Sequence, residues 1–224
     1  MKNKARFFVP FVIVLLFTFT AYASTFSTDP KAIEQKAKSV LMLEVYNQNN
    51  EFIAAGSGFV AFNNRTIVTN FHVIEGAAWI MANSDDGYQY MVTKVLTTDK
   101  EKDIAICEFM SPTDLIPLEL NTNGELLRAE SVVAIGNPLG IELGMTNTVS
   151  IGNISALYED RVVKWVQFTA PISNGSSGGA LFDNNGNVIG MTSATLIDGQ
   201  NMNLAIHISE VQELYDKWDG KRVK

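Results

Sequence analysis

From Val40 to Ile208 the chain is a succession of short apolar or alternating runs, broken by turn signals about every ten residues. That rhythm leaves little room for long helices. The runs Val40–Tyr46, Phe59–Phe62, Thr66–Thr69, Ala78–Met81, Tyr88–Leu96 and Ile104–Phe109 read as strands. So do Val132–Ile135, Thr146–Ile151, Val162–Phe168, Ala180–Phe182, Val188–Thr192 and Met202–Ile208. Asp85-Asp86-Gly87, Asn184-Asn185-Gly186 and Asp198-Gly199 mark turns between them. Ser111–Glu130, with Pro112, Pro117 and Asn123-Gly124, is looser and reads as a bridge between two halves. A helix is expected at each end. Thr28-Asp29-Pro30 opens one that runs to about Lys38, with a capping residue and a proline suited to the first turn. Ser209 reads as the cap of the other, with Gln212 three residues on, and Val211, Leu214, Tyr215 and Trp218 form its apolar face. Strands at this density argue for an all-β sandwich or barrel, and two barrel halves are compatible with the length.

The first residues read as an address. Lys2, Lys4 and Arg6 precede an apolar run from Phe7 to Phe19, and Ala21-Tyr22-Ala23 offers a small-x-small cleavage site. The expectation is a signal peptide over residues 1–23 and a mature chain over 24–224, exported to a periplasm or secreted, with no stable membrane anchor after cleavage. The whole chain carries a net charge of −7, and cleavage would remove three further positive charges. An acidic balance of this size argues against nucleic acid and against an anionic membrane surface as partners. Cys107 is the single cysteine, so no disulfide can form within the chain, and the exported fold must stand on its core. Set in Ile104-Ala105-Ile106-Cys107, that cysteine reads as a small buried hydrophobe.

Chemistry concentrates in Asn174-Gly175-Ser176-Ser177-Gly178-Gly179-Ala180-Leu181. This glycine- and serine-rich stretch is walled in by apolar runs, which a flexible linker would not be. It suits a tight turn that presents a hydroxyl and aims successive amides one way. The alternative is a plain glycine-rich hairpin. A serine hydroxyl is a weak nucleophile until a base takes its proton. Only two histidines are available, His72 and His207. His72 is favoured because it stands where an apolar strand gives way to a loop, and His207 sits inside a strand-like run. Asp103, immediately before the apolar strand from Ile104, is the best carboxylate to orient that base. It belongs as well to the charged run Asp99-Lys100-Glu101-Lys102-Asp103, where a solvated turn residue is the alternative.

Five motifs in order resemble those of trypsin-like serine proteases with the chymotrypsin fold, most closely the HtrA/Deg family. They are Gly56-Ser57-Gly58-Phe59-Val60, Thr69-Asn70-Phe71-His72-Val73-Ile74, Asp103-Ile104-Ala105-Ile106, Ala134-Ile135-Gly136-Asn137-Pro138-Leu139-Gly140, and the serine stretch itself. The resemblance implies two six-stranded antiparallel β-barrels, the first over about 40–120 and the second over about 127–208, with a short N-terminal helix and a C-terminal helix over about 209–218. It implies Ser177 as nucleophile, His72 as general base and then acid, and Asp103 as its orienter. Ser176 becomes a spacer. The amides of Gly175 and Ser177 become the oxyanion hole. Ser193 supports the aspartate, and Thr192, Ser193, Ala194 and Thr195 bind the substrate backbone as an added strand. The implied partners are unfolded or extended polypeptides, and no metal or organic cofactor is called for. A trimer is the family's oligomeric precedent.

Specificity is less constrained. Pro171 stands where a lysine- or arginine-specific relative would place an aspartate, and Ala194 with Leu204–Ile206 points to a small aliphatic pocket. A glutamate-binding role for His207 is the minor alternative. The chain departs from the family pattern in two places. No PDZ domain follows Trp218 in these residues, and the turn Tyr158-Glu159-Asp160-Arg161 is short where relatives often carry a regulatory loop. Two other readings stand beside the endopeptidase: a protease fold that grips chains without cutting, and a protease activated only by a partner.

Overall fold

A computed structural model describes residues 26–110, 115–138, 146–195 and 202–222. The expected signal peptide, residues 1–23, and Leu139-Gly140 of the fourth motif lie outside these. Twelve strands close into two antiparallel barrels of six. The first contains β1 (Val40–Tyr46), β2 (Phe52–Val60), β3 (Thr66–Thr69), β4 (Trp79–Asn83), β5 (Gln89–Asp99) and β6 (Ile104–Phe109), in the spatial order β1-β2-β3-β6-β5-β4. The second contains β7 (Ser131–Gly136), β8 (Thr148–Glu159), β9 (Lys164–Phe168), β10 (Ala180–Phe182), β11 (Val188–Thr195) and β12 (Asn203–His207), in the order β10-β11-β12-β9-β8-β7. Closure pairs each strand with two neighbours and leaves few free sheet edges to cover.

Each barrel has its own filling. Leu41, Leu43, Val45, Val60, Ile67, Tyr90, Cys107 and Phe109 pack within the first. Val132, Ala134, Val166, Phe168, Leu181, Ile189 and Ala205 pack within the second. A third apolar cluster joins them: Val40, Phe59, Val68, Ile104 and Ile106 meet Val133, Ile135, Phe182, Val188, Met191 and Ile206. Strands facing this seam are therefore apolar on both faces, which explains the continuous runs at Ile104–Phe109 and Ser131–Gly136. Cys107 is buried in the first barrel, and burial pushes its thiol up to about 12.

The helices are α1 (Pro30–Ala37), a single turn α2 (Phe71–Ile74) and α3 (Ile208–Arg222). Asp29 caps α1 as expected, its Oδ1 accepting from the amides of Lys31 and Ala32 at 3.1 and 3.2 Å. The cap of α3 differs from expectation. The helix begins at Ile208, so Ser209 lies inside it, and the Ser209 amide donates to Nδ1 of His207 at 3.2 Å. Gln212 reaches forward to Asp216 and not back to the first turn. The imidazole, at the end of a strand, was in better position than the serine to meet the first free amides. Strand bounds also moved: β5 and β8 extend well past their apolar runs, because barrel pairing carries polar residues along.

Candidate active site

The site lies between the barrels, where three connections converge. The first follows β3. Past Asn70 the chain enters α2, which carries His72 on its exposed side. A one-turn helix, not a loop, therefore presents the imidazole. The second is the turn before β6. Asp103 has φ of 56°, a left-handed conformation that aspartate tolerates better than most residues. Its carbonyl accepts from the Phe71 amide at 3.2 Å and from Asn70 Nδ2 at 3.0 Å. Its Oδ1 accepts from the His72 amide at 2.9 Å, and its Oδ2 lies 2.8 Å from His72 Nδ1. An ionised carboxylate only accepts, so the proton sits on Nδ1 and the Nε2 lone pair is left to act as a base.

The third connection is the serine stretch. Two successive turns are closed by Ser176 N–H to Ser173 O at 2.9 Å and Gly179 N–H to Ser176 O at 3.0 Å. Gly175 and Gly178 have φ of 93° and 85°. A Cβ on Gly178 would lie 2.1 Å from the Ser57 carbonyl, so glycine is required there on two counts. Ser176 is buried, whereas Ser177 is partly exposed. The amides of Gly175 and Ser177 donate to no protein acceptor among the described residues.

Ser193 ties these connections together. Its hydroxyl donates to Asp103 Oδ2 at 3.2 Å, and its carbonyl accepts from the Ser177 hydroxyl at 3.0 Å. No hydrogen bond joins Ser177 directly to His72. A profile of the trypsin-like peptidase domain matches residues 56–191, more than half of the chain.

The chain belongs to the trypsin-like peptidase family.

Over 176 residues the chain is 34% identical to the anti-sigma-I factor RsgI9 of Acetivibrio thermocellus, covering 79% of this chain and 24% of that protein. It is 34% identical over 164 residues to the periplasmic serine endoprotease DegP of Salmonella typhimurium, covering 72% of this chain and 34% of the relative. The solved structure of the HtrA-type protease AlgW with a tripeptide superposes with a TM-score of 0.73 at 28% identity, over 83% of this chain and 61% of that one. The chain thus spans about a quarter to a third of the length of these two curated relatives.

Within this site, not every expected residue sits as foreseen. Thr192 is buried. Its hydroxyl donates to the Ser176 carbonyl at 2.6 Å, its amide to Gly179 O, and its carbonyl accepts from Gly178 N–H. No backbone group of Thr192 is left for a substrate strand. The open edge starts one residue later, because β10 stops at Ala180 opposite Met191 while β11 continues through Ser193 and Ala194 to Thr195. His207 pairs with Gly190, at the far end of β12 from Asn203, which pairs with Thr195. His207 stands two residues along β12 from Ala205, the partner of Thr192, on which the serine turn packs. It lines a separate cavity with Leu157, Lys164 and Trp165. The glutamate-pocket reading of His207 is therefore set aside. Ser57 is the residue whose contribution the motif reading left unassigned. It is fully buried, and its hydroxyl donates to the Gly175 carbonyl at 2.7 Å. Its neighbours Gly56 and Gly58 signalled close approach, but nothing local identified what approaches.

Proposed function

We propose that this trypsin-like peptidase is a serine endopeptidase in which Ser177, His72 and Asp103 form the catalytic triad. The observation that carries the reading is the Asp103 carboxylate, which pairs with His72 Nδ1 at 2.8 Å and is itself held by the Ser193 hydroxyl. In this reading the Ser177 hydroxyl swings from Ser193 O to His72 Nε2 when a substrate carbonyl arrives. His72 takes the proton as Ser177 attacks, and Asp103 stabilises the imidazolium. The amides of Gly175 and Ser177 receive the developing oxyanion, at roughly 3–4 kcal/mol per donor. His72 then protonates the leaving amine, and water hydrolyses the acyl-enzyme by the same steps reversed.

The substrate class follows from the edge of β11. Ser193–Thr195 would pair with an extended chain, so unfolded polypeptides are the proposed substrates, with a small aliphatic residue at the cleavage point. Residues 1–23 are proposed as a signal peptide and 24–224 as the exported protease domain, working in a periplasm or outside the cell in protein quality control. The relative DegP is named as periplasmic, which supports that placement. Assembly into an oligomer, with a trimer as family precedent, is proposed on resemblance.

Ser177→Ala is expected to abolish casein hydrolysis while leaving circular dichroism unchanged, and a fluorophosphonate probe is expected to label Ser177 alone. Full activity in that variant would end the assignment. One observation favours a second reading, a partner-activated protease. The Ser177 hydroxyl is bonded to Ser193 O and not to the base. Hydrolysis that begins only when a partner is added would select it, and binding of casein without fragments would select a non-cleaving module.

A further inference from the structure

Buried hydroxyls hold the two peptides that separate the donors of the proposed oxyanion hole: the Ser177 N–H lies on the second, and the Gly175 N–H adjoins the first. The carbonyl of Gly175 accepts from Ser57 Oγ at 2.7 Å, and the amide of the same peptide, Ser176 N–H, donates to Ser173 O at 2.9 Å. Both ends of that peptide are pinned. The Gly175 N–H belongs to the preceding peptide, which is joined to this pinned one through the Gly175 Cα at φ of 93°. The next peptide is pinned likewise. The Ser176 carbonyl accepts from Thr192 Oγ1 at 2.6 Å and from Gly179 N–H at 3.0 Å, and its other end is the Ser177 N–H. Glycine at 175 leaves this turn many alternatives, so holding the Ser176 carbonyl fixes the Ser177 amide directly, and holding the Gly175 carbonyl restrains the Gly175 amide through the neighbouring peptide.

We infer that Ser57 and Thr192 are positioning residues that aim the Gly175 and Ser177 amides at the reacting carbonyl. Ser57 comes from β2 of the first barrel, Thr192 from β11 of the second. Ser57 is fully committed to this task. Its amide donates to Ser177 O at 2.8 Å, its carbonyl accepts from Thr69 Oγ1 at 2.7 Å, and its Oγ accepts from the Asn137 amide at 2.8 Å. With the Asn137 amide already donating to it, the single hydroxyl proton has to go to Gly175 O. The clamp also reaches outward. Asn137 Oδ1 accepts from Asn147 N–H at 2.8 Å, and Asn147 Nδ2 donates to the Ala37 carbonyl at the end of α1, also at 2.8 Å. A continuous line of hydrogen bonds therefore connects the N-terminal helix to the Gly175 peptide.

The inference rests on the endopeptidase reading, and two variants test it. Ser57→Ala removes one hydroxyl, and Thr192→Val removes the other at nearly constant shape, so at least one variant is expected to fold. Each is expected to lower kcat on a peptide substrate about ten- to a hundredfold with KM unchanged, and to weaken a peptide boronate inhibitor by the same factor. A role in folding alone would lower the melting temperature and the active fraction without weakening the boronate. A folded variant with kcat within about twofold of wild type would overturn the inference. A wild type that does not cleave, alone or with an added partner, would sink the endopeptidase reading instead. The clamp is then decided by the carbonyl 13C shift of Gly175, which is expected to differ between wild type and Ser57→Ala. An identical shift would overturn it.

Discussion

At the scale of single residues, the site is built from conformations that most side chains refuse. Asp103 and Gly178 both have positive φ, and each sits at a junction between the barrels. For Asp103 the left-handed bend lets one residue turn its carbonyl to Asn70 and Phe71 and its carboxylate to His72. For Gly178 it lets the chain pass against the Ser57 carbonyl and the Thr69 hydroxyl, where a Cβ would lie 2.1 and 2.4 Å away. Gly178→Ala combines the left-handed penalty with overpacking against backbone. It is expected to cost about 2–4 kcal/mol, read as a lowered urea midpoint at constant slope. The choice between Ser176 and Ser177 is made at this scale too. Ser176 is turned into the protein, where its carbonyl meets Thr192, and Ser177 is presented.

At the scale of elements, α3 is fastened at its first turn by polar groups from both barrels. Glu210, buried, accepts from Lys102, which immediately precedes Asp103, and Lys164 of β9 lies 4.0 Å away on its other oxygen. His207 ends β12 beside them and caps the helix through Nδ1. Burial lowers its pKa below the ordinary 6.5, the nearby Lys164 ammonium lowers it further, and Glu210 opposes. The neutral imidazole is thus the form the fold prefers. As pH falls, the unfolded chain takes up the proton before the folded one does. The stabilisation is present above the ordinary value and is lost as pH drops from there to the lowered folded value. Protonated Nδ1 also ceases to accept from Ser209. His207→Asn keeps an acceptor near that place without the titration. The wild-type melting temperature is therefore expected to fall more steeply than that of His207→Asn between about pH 7 and pH 5. Parallel curves would remove His207 from the account.

At the scale of the whole molecule, the barrels are not independent. Phe59, Val68 and Ile106 of the first pack with Ile135, Phe182 and Met191 of the second, and α3 adds Ile208 and Val211 to the same cluster. The proposed active site lies along this seam, since His72 and Asp103 come from one barrel and Ser177 and Ser193 from the other. Neither half can lose its packing without exposing apolar surface of the other. A single unfolding transition is expected, with tryptophan fluorescence and far-ultraviolet circular dichroism coinciding in urea. Trp79 reports on the first barrel and Trp165 on the second, so non-coincident curves, or two steps, would contradict it.

What could be read along the chain was what neighbours in sequence impose. Strand runs such as Val40–Tyr46 and Ile104–Phe109 were legible because alternation and apolar runs reflect the burial of a single element. Asp29 was legible as a cap because its partners lie two and three residues away. His72, Asp103 and Ser177 were legible as candidates because each stands at the edge of an apolar run with the right functional group. Tertiary structure decided which of the distant groups meet. Ser57 and Gly175 are 118 residues apart, and Ser193 and Asp103 are 90 apart. No local pattern encodes those pairings. They arise only when two closed barrels bring their connecting turns to one seam. For the same reason Thr192 turned inward, His207 fell to the helix cap, and the open edge of β11 began at Ser193. Each outcome is a hydrogen-bond partner supplied by another part of the chain, and a buried polar group takes the partner that folding brings within reach.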